Sequence, residues 1–189
     1  MQGDVRPTSN LGQRAAVGAL VFLLLLLAGI RAANAGEIVP SIGIAHSVAA
    51  DENRTMLGLE LRGNLAPMVK TGIGVGYRSE DAFDGALTVR TIPVTASLWL
   101  SPLPTLYAGG GAGMYFTTLS FGDAIALPDQ SDEQFGWHLG GGMNVPLGPV
   151  AALDLHGRYV FLQDEVGAPQ TGTFDPDFWM ASAGVAIRF

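Results

Sequence analysis

Asp154, His156 and Arg158 place a carboxylate, an imidazole and a guanidinium at every second position of one short segment. In an extended chain that spacing brings all three to one face. Glu60 and Arg62 repeat the arrangement, and Lys70, Arg78, His138 and Arg188 are further basic or imidazole groups set among apolar neighbours. Two chemistries fit such residues. A carboxylate beside an imidazole is the beginning of a proton relay that activates a nucleophile. Carboxylates beside guanidinium groups are the parts of a charge-balanced network. The relay needs short contacts, and Asp154 and His156 are ~7 Å apart along a strand. Of the serines, Ser47 alone lies within two positions of a histidine, and it alternates to the opposite side from its neighbour His46. A serine brought across from another strand remains a route to catalysis. Asp129, Asp132 and Glu133, and likewise Asp175 and Asp177, supply oxygen ligands but lack the glycine-centred loop register of a calcium site. Gly109-Gly110-Gly111-Ala112-Gly113 and Gly140-Gly141-Gly142 sit inside alternating sequence with no helix after them, so they are not phosphate loops. No cofactor is implied.

The elements that must hold these groups are strands. Phe135, Trp137, Leu139, Gly141, Met143 and Val145 share one face opposite Gly136, His138, Gly140, Gly142 and Asn144. Leu57, Leu59 and Leu61 oppose Glu60 and Arg62, and Leu153, Leu155, Tyr159 and Phe161 oppose Asp154, His156 and Arg158. Period-two alternation of this kind predicts strands with two unlike faces, near 38–46, 56–65, 69–78, 87–100, 106–118, 135–145, 150–161 and 178–189. Most are close to the ~9–11 residues that a tilted strand needs to cross a bilayer. Pro93 and a phase change near Arg90-Thr91 predict a bulge or a break in the fourth strand. His46 falls on the outward phase of Ile42 and Ile44, which predicts that the first strand ends before it. A pairing of Val145 with Val150 would bring His138 opposite His156 or Arg158 and close to Asp154.

The chain begins with a basic segment, an apolar stretch from Ala15 to Ile30, and Ala33-Asn34-Ala35. These are the parts of a secretory signal peptide, with cleavage expected between Ala35 and Gly36. Residues 1–35 are then the leader and 36–189 one domain. The net charge of −7 argues against a nucleic-acid partner. With no cysteine, the exported domain must be held by its backbone ladder rather than by disulfides.

A soluble barrel puts its apolar face inside, and a membrane barrel inverts the order. Three features favour inversion. Aromatic residues, among them Tyr77, Trp99, Tyr107, Tyr115, Trp137, Tyr159, Trp179 and Phe189, gather towards strand ends as interfacial girdles do. The charge-bearing face is rich in glycine, leaving room for long side chains in a narrow lumen. The connections alternate between short proline-containing turns at 66–68, 101–105 and 146–149 and longer acidic segments at 47–55, 79–86, 119–134 and 162–177. Short turns on one rim and long loops on the other are the outer-membrane arrangement.

With that architecture, and with Val185, Ile187 and Phe189 closing the chain in strict alternation, residues 36–189 resemble the small outer-membrane β-barrel superfamily that includes opacity-type surface proteins and the membrane domain of outer-membrane protein A. The resemblance implies an eight-stranded antiparallel up-and-down transmembrane β-barrel in a bacterial outer membrane, monomeric and non-enzymatic. It implies that Val185, Ile187 and Phe189 act as an assembly signal read by the barrel-assembly machinery, and that outer-membrane lipid and lipopolysaccharide are its surroundings. Glu60, Arg62, Lys70, Arg78, His138, Asp154, His156, Arg158 and Arg188 are then expected to form a lumen polar network. A narrow pore or hydrophobic-solute conduit, and a lipid A-modifying enzyme, are the alternative roles open to the same barrel.

Overall fold

A computed structural model of the chain describes residues 36–48, 53–82, 87–121, 130–162 and 177–189. Eight strands follow in order: β1 (Gly36–Ser47), β2 (Asn53–Ala66), β3 (Val69–Ala82), β4 (Leu87–Leu103), β5 (Leu106–Phe121), β6 (Gln130–Pro146), β7 (Ala151–Leu162) and β8 (Phe178–Arg188). Each pairs antiparallel with its sequence neighbour, and β1 pairs with β8, so the sheet closes on itself. Closure leaves no unpaired edge, which a cysteine-free sheet in lipid requires.

The strands run further than the alternation indicates. β3 extends to Ala82, β4 to Leu103 and β5 to Phe121, and β6 starts at Gln130. Parts of the expected loops at 79–86 and 119–134 are therefore ladder. Strand pairing does not depend on side-chain alternation once the barrel wall has risen past the apolar belt, and polar residues such as Ser79, Thr117 and Asp132 are tolerated there. Asp51, Glu52, Asp84, Asp123, Asp129, Asp164, Glu165 and Asp175, and the expected leader at 1–35, lie outside the described residues.

Three local expectations are corrected. β4 has no bulge at Arg90-Thr91: its register with β3 is the same at Val75↔Val94 and at Arg78↔Thr91. The two pairs between them are simply missing, because Pro93 has no N–H to give Gly76. The first strand does not end before His46, whose ring stacks on Trp179 at 5.2 Å and whose Nδ1 lies 3.1 Å from Asn53 Oδ1. An outward histidine here joins an aromatic row instead of ending the strand. Val145 does not pair with Val150 but with Leu153. Residues directly opposite one another share a face, and a Val145↔Val150 register would set the inward His138 against the outward Gly157. The observed register pairs even-numbered lumen residues with each other, Gly140 with Arg158 and Gly142 with His156. It is reached by a wider turn in which the Leu147 and Gly148 N–H groups donate to the Ala151 carbonyl, at 2.9 and 3.2 Å.

The outward face is apolar. Ile42, Leu57, Leu59, Val75, Val94, Leu98, Leu139, Val145, Phe161, Val185 and Ile187 are all exposed, whereas Glu37, Glu60, Arg62, Asp154, His156 and Arg158 are buried. This is the inverse of a soluble barrel.

Candidate functional site

The lumen is built where inward residues of β1, β2, β4, β5 and β7 meet. Glu60 and Arg62 project from β2, with Glu37 directly opposite Arg62 on β1. Trp99 enters from β4, Tyr107 from β5, and Asp154, His156 and Arg158 from β7. Glycine supplies the space. A side chain at Gly72 would collide with the Glu60 carboxylate and come within 3.2 Å of Trp99 Nε1, and one at Gly142 would come within 2.6 Å of the Tyr107 hydroxyl. Both positions stay bare so that longer neighbours can cross the lumen.

Two carboxylates organise the centre. Asp154, fully buried, accepts from Arg62 Nη1 at 2.7 Å and from the Tyr107 hydroxyl at 2.9 Å, and lies 3.1 Å from His156 Nδ1. Glu60 accepts from Trp99 Nε1 at 2.9 Å, Arg62 Nη2 at 3.2 Å and Arg158 Nη2 at 2.8 Å. Arg62 bridges the two, with its guanidinium 4.9 Å over the Tyr107 ring, and Arg158 lies 5.1 Å over Trp99. Towards the rim of short turns, Glu37 accepts from Lys70 Nζ at 3.0 Å and lies 3.7 Å from Arg62 Nη1. Three acids thus face Arg62, Arg158 and Lys70, a balanced set of the sort that makes burying charge tolerable.

The remaining expected members lie apart from this centre. Arg188 is at the rim, 39% exposed in its side chain and 3.9 Å from Glu37. Arg78 sits higher, donating to Thr91 Oγ1 at 3.4 Å with its guanidinium 5.0 Å over Phe178. His138 does not reach Asp154; its Nε2 is 3.0 Å from Ser97 Oγ and its ring 6.3 Å from Trp99. Sequence reasoning passed over Glu37, Ser97 and Ser182, and grouped Trp99 and Tyr107 with the girdle aromatics. Trp99, Tyr107 and Tyr115 fall in the lumen rather than in a girdle, and all three are buried. The signal for them is parity: inward residues of β4 and β5 are odd-numbered, in phase with Thr95 and Ser97.

Apolar tiers lie on either side of the ionic centre. Ala45, Met56, Tyr115, Val160, Phe178 and Met180 pack together towards the loop rim, with Tyr115 and Phe178 edge-to-face at 6.0 Å. Val39, Ala152 and Ala186 form a smaller cluster towards the turn rim. Between the upper tier and Glu60, Arg158 and His156 is a cavity of about 50 Å³, room for a few waters and no solute.

β8 brings Ser182 opposite His156, completing the residue types of a nucleophilic triad. The geometry is different. Ser182 Oγ is 3.2 Å from His156 Nδ1 and 3.3 Å from Nε2, so it lies side-on to the ring, while Asp154 occupies Nδ1. A working triad sets the serine and the carboxylate on opposite ring nitrogens. Here Ser182 Oγ is shared between the two ring nitrogens, one of which the carboxylate also takes.

A closed eight-strand wall with charge inside and aliphatic side chains outside decides the architecture. The chain has the fold of the small outer-membrane β-barrels. It is similar to the N-terminal barrel domain of Pseudomonas aeruginosa OprF, with a TM-score of 0.56 at 15% identity over 83% of this chain and 98% of that one. It is likewise similar to a major outer membrane protein of Thermus thermophilus, with a TM-score of 0.58 at 16% identity over 82% and 99%. Ail, the attachment invasion locus protein of Yersinia pestis, aligns with a TM-score of 0.54 at 14% identity over 82% and 97%. No family model and no curated protein matches the sequence. What is common to these outer-membrane barrels and this chain is therefore the wall, and its lumen chemistry must be read from its own residues.

Proposed function

We propose that this chain is a non-enzymatic bacterial outer-membrane barrel with a plugged lumen and a structural or surface-interaction role carried by acidic extracellular loops. The observation that carries the reading is the closed Asp154–Arg62–Glu60–Arg158 network, spanned by hydrogen bonds of 2.7 to 3.2 Å and stacked against an apolar tier. A solute would have to break both. Two structural neighbours are called an attachment invasion locus protein and Neisserial surface protein A, which supports a surface role over transport. In this reading residues 1–35 are removed after Ala35, the monomer sits in outer-membrane lipid and lipopolysaccharide, and Val185, Ile187 and Phe189 are presented to the assembly machinery.

The test joins two measurements on protein made with its leader. A heat-dependent gel-mobility shift in the outer-membrane fraction is expected of a folded barrel, and near-zero steady conductance in planar bilayers is expected of a plug. Large steady conductance would replace the plug with a pore. Deleting the loops centred on 122–129 and 163–176 should abolish any surface-binding phenotype; its survival would refute the loop assignment.

A further inference from the structure

The wall is closed through the apolar belt, but above the belt four strands continue on one side. β5 and β6 stay paired up to Leu119↔Gln130, and β3 and β4 up to Ala82↔Leu87. Across the barrel β1 ends at Ser47, β7 ends at Leu162 and β8 starts at Phe178. The last described rung between β6 and β7 is Gly136↔Leu162. Among the described residues, 130–135 of β6 therefore have a partner strand on one side only. They run ~20 Å along the strand. An edge of that length is a template for a further strand unless something covers or blunts it.

Alternation decides which backbone groups this edge offers, because successive residues of an antiparallel strand turn their N–H and C=O to opposite sides. The Asn144 N–H donates to the Thr105 carbonyl at 2.8 Å, and the β5–β6 register is unbroken from Met143 to Gln130. Even-numbered residues of β6 therefore face β5, and Ser131 and Glu133 face the open side. In keeping with this, the Glu133 N–H donates to Asp132 Oδ1 at 2.9 Å. Ser131, Asp132 and Glu133 are all exposed. The carboxylate cap blunts the edge against a neutral or acidic strand, and a second copy would bring the same acids against it. A cationic side chain changes the balance. By pairing with Asp132 it draws the carboxylate off the Glu133 N–H and leaves that donor to the incoming strand.

We infer that this edge receives an extended, basic strand of another protein, added to β6 above the membrane surface. The inference rests on the reading that the loop rim faces outward. Main-chain bonds to Ser131 and Glu133 supply the affinity, and the two acids select the partner. Asp132 falls on the inward phase, opposite Thr117, and Glu133 on the outward phase, opposite Phe116. Residues directly opposite one another share a face, and consecutive residues lie on opposite faces. The partner residues that meet Asp132 and Glu133 are therefore neighbours in sequence. The strand that fits carries two adjacent basic residues among β-forming ones, one for each face of the edge.

The test uses the barrel purified from outer membranes into detergent micelles and an amidated peptide of threonine, valine, lysine, arginine, valine and threonine. Saturable binding that slows hydrogen exchange of the Ser131 amide is expected, weakening as salt rises. The peptide with glutamate in place of both basic residues, and the peptide with proline in place of both valines, should not bind. Ser131→Pro removes an N–H from the open edge without touching the β5 ladder, and Asp132→Asn with Glu133→Gln removes the charge. Both variants should lose the peptide while keeping heat-dependent mobility. No binding by the basic peptide, or equal binding by its proline form, overturns the inference. So does a Ser131 amide that exchanges slowly in the free barrel and is released when 163–176 is deleted, which would give the edge to this chain's own loop. Purified barrel has no orientation, so these outcomes are independent of the outward reading; a peptide that binds purified barrel but not intact cells would refute that reading and leave the edge standing.

Discussion

Replacing Arg62 by leucine should unfold the barrel more readily than any other single change in the lumen. Its guanidinium is 2.7 Å from Asp154, 3.2 Å from Glu60 and 3.7 Å from Glu37, and the side chain is 1% exposed, so water screens none of these contacts. Arg62→Leu would leave three buried carboxylates against Arg158 and Lys70. Removing one partner of a buried ion pair costs ~3–5 kcal/mol, because the other charge stays buried and unpaired. At ~1.4 kcal/mol per factor of ten, the folded-to-unfolded ratio should fall by about two to three and a half powers of ten. The measurement is urea unfolding in detergent micelles, followed by tryptophan fluorescence and by gel mobility without boiling. The double variant Arg62→Leu with Asp154→Leu should be less destabilised than the single one, since replacing both charges with apolar groups is often close to neutral. A single variant within ~0.5 kcal/mol of wild type, the range of an ordinary surface substitution, would refute the claim that the network holds the lumen together.

Trp99→Phe keeps an aromatic, though smaller, side chain but leaves Glu60 Oε1 without its 2.9 Å donor, and should cost at least ~1–3 kcal/mol in the same urea titration. Tyr107→Phe, which removes a 2.9 Å donor from Asp154, should fall in a similar range of ~1.5–3 kcal/mol. Glu60→Ala with Arg158→Ala should leave planar-bilayer conductance near zero, because Met56, Tyr115 and Phe178 still close the lumen; adding Met56→Ala and Phe178→Ala should raise it. Phe189→Ala should lower the amount of barrel recovered in the outer-membrane fraction, measured against wild type by immunoblot.

The wall of the barrel was legible because its information is local. Alternation in 135–145 and 150–161, and proline in the short turns, need no knowledge of what pairs with what. The lumen was legible only by half, and the reason is register. Asp154, His156 and Arg158 announce one face of β7, but whether His138 or Tyr107 reaches Asp154 depends on offsets between strands that no single strand encodes. A slip of one residue changes every partner and every face. Parity narrows the choice: inward residues of β6 and β7 are all even-numbered, which forbids the Val145↔Val150 register and allows Val145↔Leu153. Trp99 and Tyr107 were misread for a related reason. An aromatic near a strand end suits both a girdle and a lumen, and only its phase relative to Ser97 or Gly109 separates the two.

The order of tiers along the lumen bears on what the barrel is for. A pore tolerates a charged constriction, because water follows charge, and a lone ionic centre would leave conduction open to a rearrangement of partners. Here the ionic centre is capped towards the loop rim by Met56, Tyr115, Val160, Phe178 and Met180, a largely apolar layer that offers an ion few partners. The donors to Glu60 and Asp154 also include groups with no freedom to swap, the Trp99 indole and the Tyr107 hydroxyl. Their rings pack edge-on at 5.4 Å, fixing each against the other. Rearranging Arg62 or Arg158 would therefore strand Glu60 or Asp154 while still leaving the apolar tier to be crossed. Two barriers of opposite chemistry in series oppose ions and apolar solutes alike, as the proposed plug requires.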